Sequence, residues 1–116
     1  MVQERRKSPR TRAYRPVRLH HPGFPRVVET LTKDLAVGGL CSLSPTVFPV
    51  STELRIELML SEGHEPISVR GRAAWFRTIP NSDQFDVGIS FLDLSEFDKR
   101  RLSVYLDKIS RQTASV

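Results

Sequence analysis

A single cysteine, Cys41, excludes an internal disulfide and any zinc site built from several thiolates. No apolar run approaches the ~18 residues a membrane helix needs, and the Arg-rich start has no apolar stretch of the signal-peptide kind. The expected setting is therefore the cytoplasm, with no membrane span. A Gly-Lys-Ser/Thr phosphate loop is missing, and no serine has a nucleophile-elbow context. Histidines number only three. Two of them, His20 and His21, are adjacent, so on a strand they point to opposite faces and do not easily share a metal. His64 falls in an expected hairpin loop. Cys41 lies in a short strand without a motif around it and reads as a buried small hydrophobe. Neither an enzyme nor a metal site is expected.

What remains is enough for one domain: 116 residues and 13.2 kDa, 39% hydrophobic and 27% charged. Its charge is uneven. Residues 1–18 hold seven basic groups against one acid, a net +6, while the other 98 residues carry 11 basic and 12 acidic groups. The whole positive excess thus sits at the N-terminus, where it favours an anionic partner. A solvated tail that merely aids solubility is the plainer reading of the same charge. Arg5 to Arg12 shows no apolar periodicity and is interrupted by Pro9, so it reads as an arm that is flexible in isolation.

From Tyr14 onward, short β-branched and apolar runs alternate with turn signals, the pattern of an all-β domain. Strands are expected at Pro16–His21, Arg26–Lys33 and Leu40–Leu43, the last two joined by a tight segment, Asp34–Gly39. Leu54, Ile56, Leu58 and Leu60 then form an inward row, with Arg55 and Glu57 outward. Ile67, Val69, Gly71, Ala73 and Trp75 repeat the alternation, which assigns Trp75 to the core. Phe85, Val87, Ile89 and Phe91 form the last inward row, with Asp86, Gly88 and Ser90 outward. Arg70 and Arg72 face outward too, either at the rim of a pocket or as plain solvent-facing charge.

Six such strands suit a closed antiparallel β-barrel, since closure removes exposed edges. At the C-terminus the period changes. Ser95 is a good N-cap, and Leu102, Tyr105, Leu106 and Ile109 follow the spacing of an amphipathic helix. The expected organisation is an arm over 1–13, a barrel over 14–94, a helix over 95–110 packed on the barrel, and a tail over 111–116.

Two local patterns stand out. One is Arg6-Lys7-Ser8-Pro9-Arg10, preceded by Arg5. The other is Asp34-x-Ala36-x-x-Gly39. Ahead of and inside a six-stranded domain closed by a helix, they resemble the PilZ family, whose pattern is RxxxR followed about 20–30 residues later by [D/N]xSxxG. The likeness extends through Val69–Trp75, Val87–Phe91 and the terminal helix. It implies a β-barrel receptor for cyclic di-GMP without catalytic activity, acting on an unidentified downstream protein. It also implies a ligand site built from Arg5, Arg6, Arg10, Asp34, Ala36 and Gly39, and no cofactor beyond the ligand itself.

The chemistry suits that ligand. Guanidinium groups grip phosphate or the O6/N7 edge of guanine bidentately and stack on purines. Extended backbone sets Arg6 and Arg10 roughly 13 Å apart at ~3.3 Å per residue, enough to engage two parts of one dinucleotide. The Asp34 carboxylate is suited to accept from guanine N1–H and N2–H₂, and Gly39 allows close backbone approach or a strained turn. The departure is Ala36, where the family has Ser. One lost hydrogen bond to a charged ligand costs about 1.5–3 kcal/mol. Two readings stay open: a cyclic di-GMP receptor, or a PilZ-like adaptor with weakened or lost nucleotide binding that works through protein contacts. A barrel binding single-stranded nucleic acid is a third, disfavoured because most aromatics fall in inward rows.

Overall fold

Alternating apolar side chains close the sheet on itself. The computed structural model describes residues 10–23 and 27–114. The elements are β1 (Thr11–Arg12), β2 (Pro16–His20), β3 (Val27–Ala36), β4 (Gly39–Ser44), β5 (Glu53–Leu58), β6 (Ile67–Thr78), β7 (Phe85–Phe91) and α1 (Glu96–Ala114). Neighbours run β3-β2-β5-β6-β7-β4, all antiparallel, and β4 pairs back onto β3 to complete a six-stranded barrel. The short β1 pairs with Asp34 and Leu35 along the edge of β3 that β2 has left.

The interior is the set of rows read from the sequence. Leu54, Ile56, Leu58 and Leu60 are buried, as are Ile67, Val69 and Ala73, with Val87 and Ile89 facing them. Phe85 and Phe91 pack against this core from its margins. From α1, Leu102 and Leu106 reach into the core, with Tyr105 and Ile109 beside them. The helix starts as expected: Ser95 Oγ accepts from Asp98 N–H at 3.1 Å. It runs on to Ala114, so residues 111–114 are helical rather than tail.

Three expectations need correction. First, the tight segment Asp34–Gly39 is mostly strand. Ala36 pairs with Gly39 and only Val37-Gly38 turn, because Leu35 and Leu40 are fully buried partners that carry the ladder to its end. Second, a one-residue bulge in β6 places Ala73 opposite Ile89 but Trp75 opposite Gly88. The extra residue, Ala74, inverts the alternation beyond it, so Trp75 leaves the core row for the outer face. Trp75 is half-buried there, while Phe76, Tyr14 and Phe97 are exposed, which removes the inward-aromatic argument against nucleic acid. Third, the boundary between arm and barrel does not fall at residue 13/14.

That boundary is crossed by hydrogen bonds. Ala13 is buried and its N–H donates to Lys33 O at 3.1 Å. Thr32, fully buried, donates from Oγ1 to Ala13 O at 2.6 Å and accepts from Arg15 N–H at 2.9 Å. One hydroxyl thus fastens both sides of the chain entering β2. Thr32→Val keeps the shape but strands a buried donor and acceptor, and is expected to lower unfolding free energy by about 1–3 kcal/mol in urea titrations. Thr32→Ser, which keeps the hydroxyl, should lose less.

Candidate functional site

The bulge in β3 makes the outer wall. Register shifts between Thr32 and Asp34, so Thr32 and Leu35 point inward while Asp34 points out. Following the pairings across the sheet, Asp34, Cys41, Gly88 and Trp75 form one lateral row on that outer face. Ala36, Gly39, Ser90 and Arg72 form the next. Each row crosses four strands, about 14 Å at the usual strand spacing. On the far side of β3, Arg12 stands opposite Asp34.

One residue of each sequence motif meets here. Arg10 Nη1 donates to Asp34 Oδ1 at 2.9 Å, joining the end of the first motif to the start of the second across 24 residues. Both side chains keep about a third of their surface in water, 27% and 30%. The pair is therefore held but reachable. Ala36 lies two residues along on the same face, buried, and outside the core cluster. Gly39 also belongs to this wall, though its φ is not positive. A Cβ there would fall on the Ile89 carbonyl oxygen, so the close approach that needs glycine is that of β7. Arg5 and Arg6 lie outside the described residues.

Sequence reasoning missed Trp75 on this face and left Arg72 open as rim or plain solvent-facing charge. Trp75 lies over Gly88, where a Cβ would collide with the indole, and Arg77 stacks on its ring at 5.4 Å. Arg72 makes no ion pair among the described residues and stands opposite exposed Ser90. Arg70, in contrast, is occupied: its Nε and backbone N–H both donate to Asp93 at 2.9 Å, and Nη1 reaches Glu53 at 3.3 Å. No run of hydrophobicity marks Trp75 as outward. Only the bulge does, and an Ala-Ala pair does not announce one.

Beside these rows, on the same face, lies a charged cluster. Asp86 reads as an outward residue, yet it is buried because Lys33 and Arg77 cover it, at 2.8 and 2.9 Å. Burial pushes its pKa up, but hydrogen bonds from Lys33 and Arg77 and their charges outweigh burial and hold it below the ordinary 3.8. Cys41 is buried nearby. Burial first, and then the Asp34 and Asp86 carboxylates, push its thiol up to about 11. At neutral pH it is a protonated packing group. Among the described residues no cluster of His, Cys, Asp and Glu has the arrangement of a metal site. No helix among them is long and apolar enough to cross a membrane.

The family model for the PilZ domain matches residues 4–108. The chain belongs to the PilZ domain family. Solved PilZ structures share its fold. The PilZ domain of YcgR from Escherichia coli, solved with c-di-GMP, is 17% identical with a TM-score of 0.73, over 97% of this chain and 98% of that one. MotI/DgrA, the inhibitor of motility of Bacillus subtilis, is 20% identical with a TM-score of 0.80, over 98% of this chain and 54% of its own. The MrkH–c-di-GMP complex of K. pneumonia is 21% identical with a TM-score of 0.78, over 99% and 57%. This PilZ chain therefore spans little more than half the length of MotI and MrkH. No curated protein matches it significantly.

Two consequences of the PilZ wall are measurable. Gly39→Ala is expected to destabilise the fold by about 1–3 kcal/mol in denaturant titration, because backbone must move to admit the methyl. For Asp86 the depressed pKa means that its contribution is complete above the ordinary carboxylate value and lost as pH falls through the lower folded one. Thermal melts should hold steady near neutrality and drop below about pH 4. Asp86→Asn should remove part of that acid dependence.

Proposed function

We propose that this chain is a receptor for cyclic di-GMP and binds it on the outer face of β3, β4, β7 and β6. The reading is supported above all by the Arg10–Asp34 ion pair, which joins the last residue of the first motif to the first of the second. In this role Asp34 accepts from the Watson–Crick edge of a guanine, and Arg10 turns from the carboxylate to a phosphate or a guanine edge. Arg5 and Arg6 supply further guanidinium groups and close over the ligand. Ala36 and Gly39 form the floor. The proteins with which the fold is shared include two solved with this dinucleotide, the YcgR domain and MrkH. Occupancy is then passed to a partner protein.

Ala36 favours a second reading, an adaptor whose nucleotide affinity is weak or lost. At that position, on the same face as Asp34, there is no hydroxyl to offer a ligand. Calorimetric titration with cyclic di-GMP distinguishes the two. The receptor reading expects micromolar or tighter binding, weakened at least about tenfold by Arg10→Ala or Asp34→Ala, and strengthened about tenfold by Ala36→Ser. No binding at high micromolar ligand by the natural chain overturns it. If binding then appears only with Ala36→Ser, the adaptor reading stands. A single-stranded oligonucleotide titrated in parallel checks the nucleic-acid alternative, which demands steep salt dependence.

A further inference from the structure

The helix α1 has a second apolar stripe that the barrel does not use. Leu102 and Leu106 are buried in the core, yet Phe97 and Val104, two turns apart on the other side, are 73% and 62% exposed. A contiguous exposed apolar patch rimmed by polar groups marks an interaction site or a binding groove. Between this stripe, Leu60 and the loop that follows β5 lies a groove of about 650 Å³.

The charged residues of the rim have one sign: Arg100, Arg101 and Lys108 line it, and among the described residues no Asp or Glu does. Arg101 is already engaged, with Asp98 at 3.1 Å and the Glu65 carbonyl at 2.6 Å. Arg100 and Lys108 make no ion pair among the described residues. They sit four residues before and four after Val104, about 12 Å apart along the helix. An apolar centre is thus bracketed by two cations without counter-ions.

We infer that this face of α1 is a docking groove for an acidic amphipathic helix of a partner protein. The complementary segment carries an apolar side chain over Val104 and Phe97, and carboxylates seven or eight residues apart to meet Arg100 and Lys108. A second copy of this chain fits poorly. A two-fold axis through Val104 would set Arg100 of one copy against Lys108 of the other, like charge on like charge. The groove is separate from the wall of the proposed nucleotide site, so the inference holds whether or not that reading does.

The test is selection from a display library of helical peptides of about 16 residues, about 24 Å long, against the full chain without nucleotide. Selected peptides should carry paired Asp or Glu around Leu, Ile or Phe. They should lose binding at least tenfold on Arg100→Glu and on Val104→Asp, both at exposed positions, with thermal melts unchanged. Winners that are neutral or basic, no winners at all, or binding indifferent to both substitutions overturn the proposal. So does a dimer in sedimentation that Val104→Asp dissolves, which makes the occupant a second copy. Capture by phosphatidylglycerol vesicles that competes with the peptide also overturns it, since the occupant is then a lipid surface.

Discussion

Everything in this molecule depends on β3 pairing along both its edges at once. One edge takes β2 and then β1, and the other takes β4, so a single ten-residue strand closes the barrel and anchors the incoming chain. Such double use leaves little freedom. Leu35 must face inward against Leu40, Thr32 must hold Ala13 and Arg15, and the bulge between them is what permits Asp34 to face out. The outward carboxylate is thus a by-product of closure, fixed by the same register that buries the leucines.

This explains what the sequence disclosed and what it hid. Alternation of Leu54, Ile56 and Leu58, or of Val87 and Ile89, follows from a period of two and survives folding intact. The helix was equally plain, because Ser95 and the Leu102–Ile109 spacing rest on local geometry. Bulges are different. They arise where strands of unequal length must stay in register around a closed barrel, a condition that no short window contains. Carrying the count of two through Ala74 turns Trp75 inward, and Asp34 reads as part of a turn because the strand's continuation depends on β4. Of the expected site, Arg10, Asp34, Ala36 and Gly39 do share one region of the wall, while Arg12, Arg72 and Trp75 join it only through pairings.

The charges obey the same logic. Asp86 alternates outward as its position demands, but Lys33 is the residue extruded by the β3 bulge and Arg77 lies two residues beyond Trp75, so both cations reach it. A carboxylate buried without partners would cost several kcal/mol, and the two cations offset that cost. With Asp86 engaged, Arg77 is directed over the Trp75 ring. The electrostatics of this row therefore help to set the shape of the neighbouring surface around Trp75.

The helix connects this wall to the rest of the molecule. It packs on β1 and β3, the strands next to Arg10 and bearing Asp34, through a face that includes the fully buried Leu102. Its opposite face carries Phe97 and Val104 into solvent beside Arg100 and Lys108. Close-packed interiors shift as units rather than yielding continuously. Ala13, which β1 delivers into the core, lies in the same cluster as Leu102 and Leu106, so the chain that carries Arg10 and the helix rest on one shared interior.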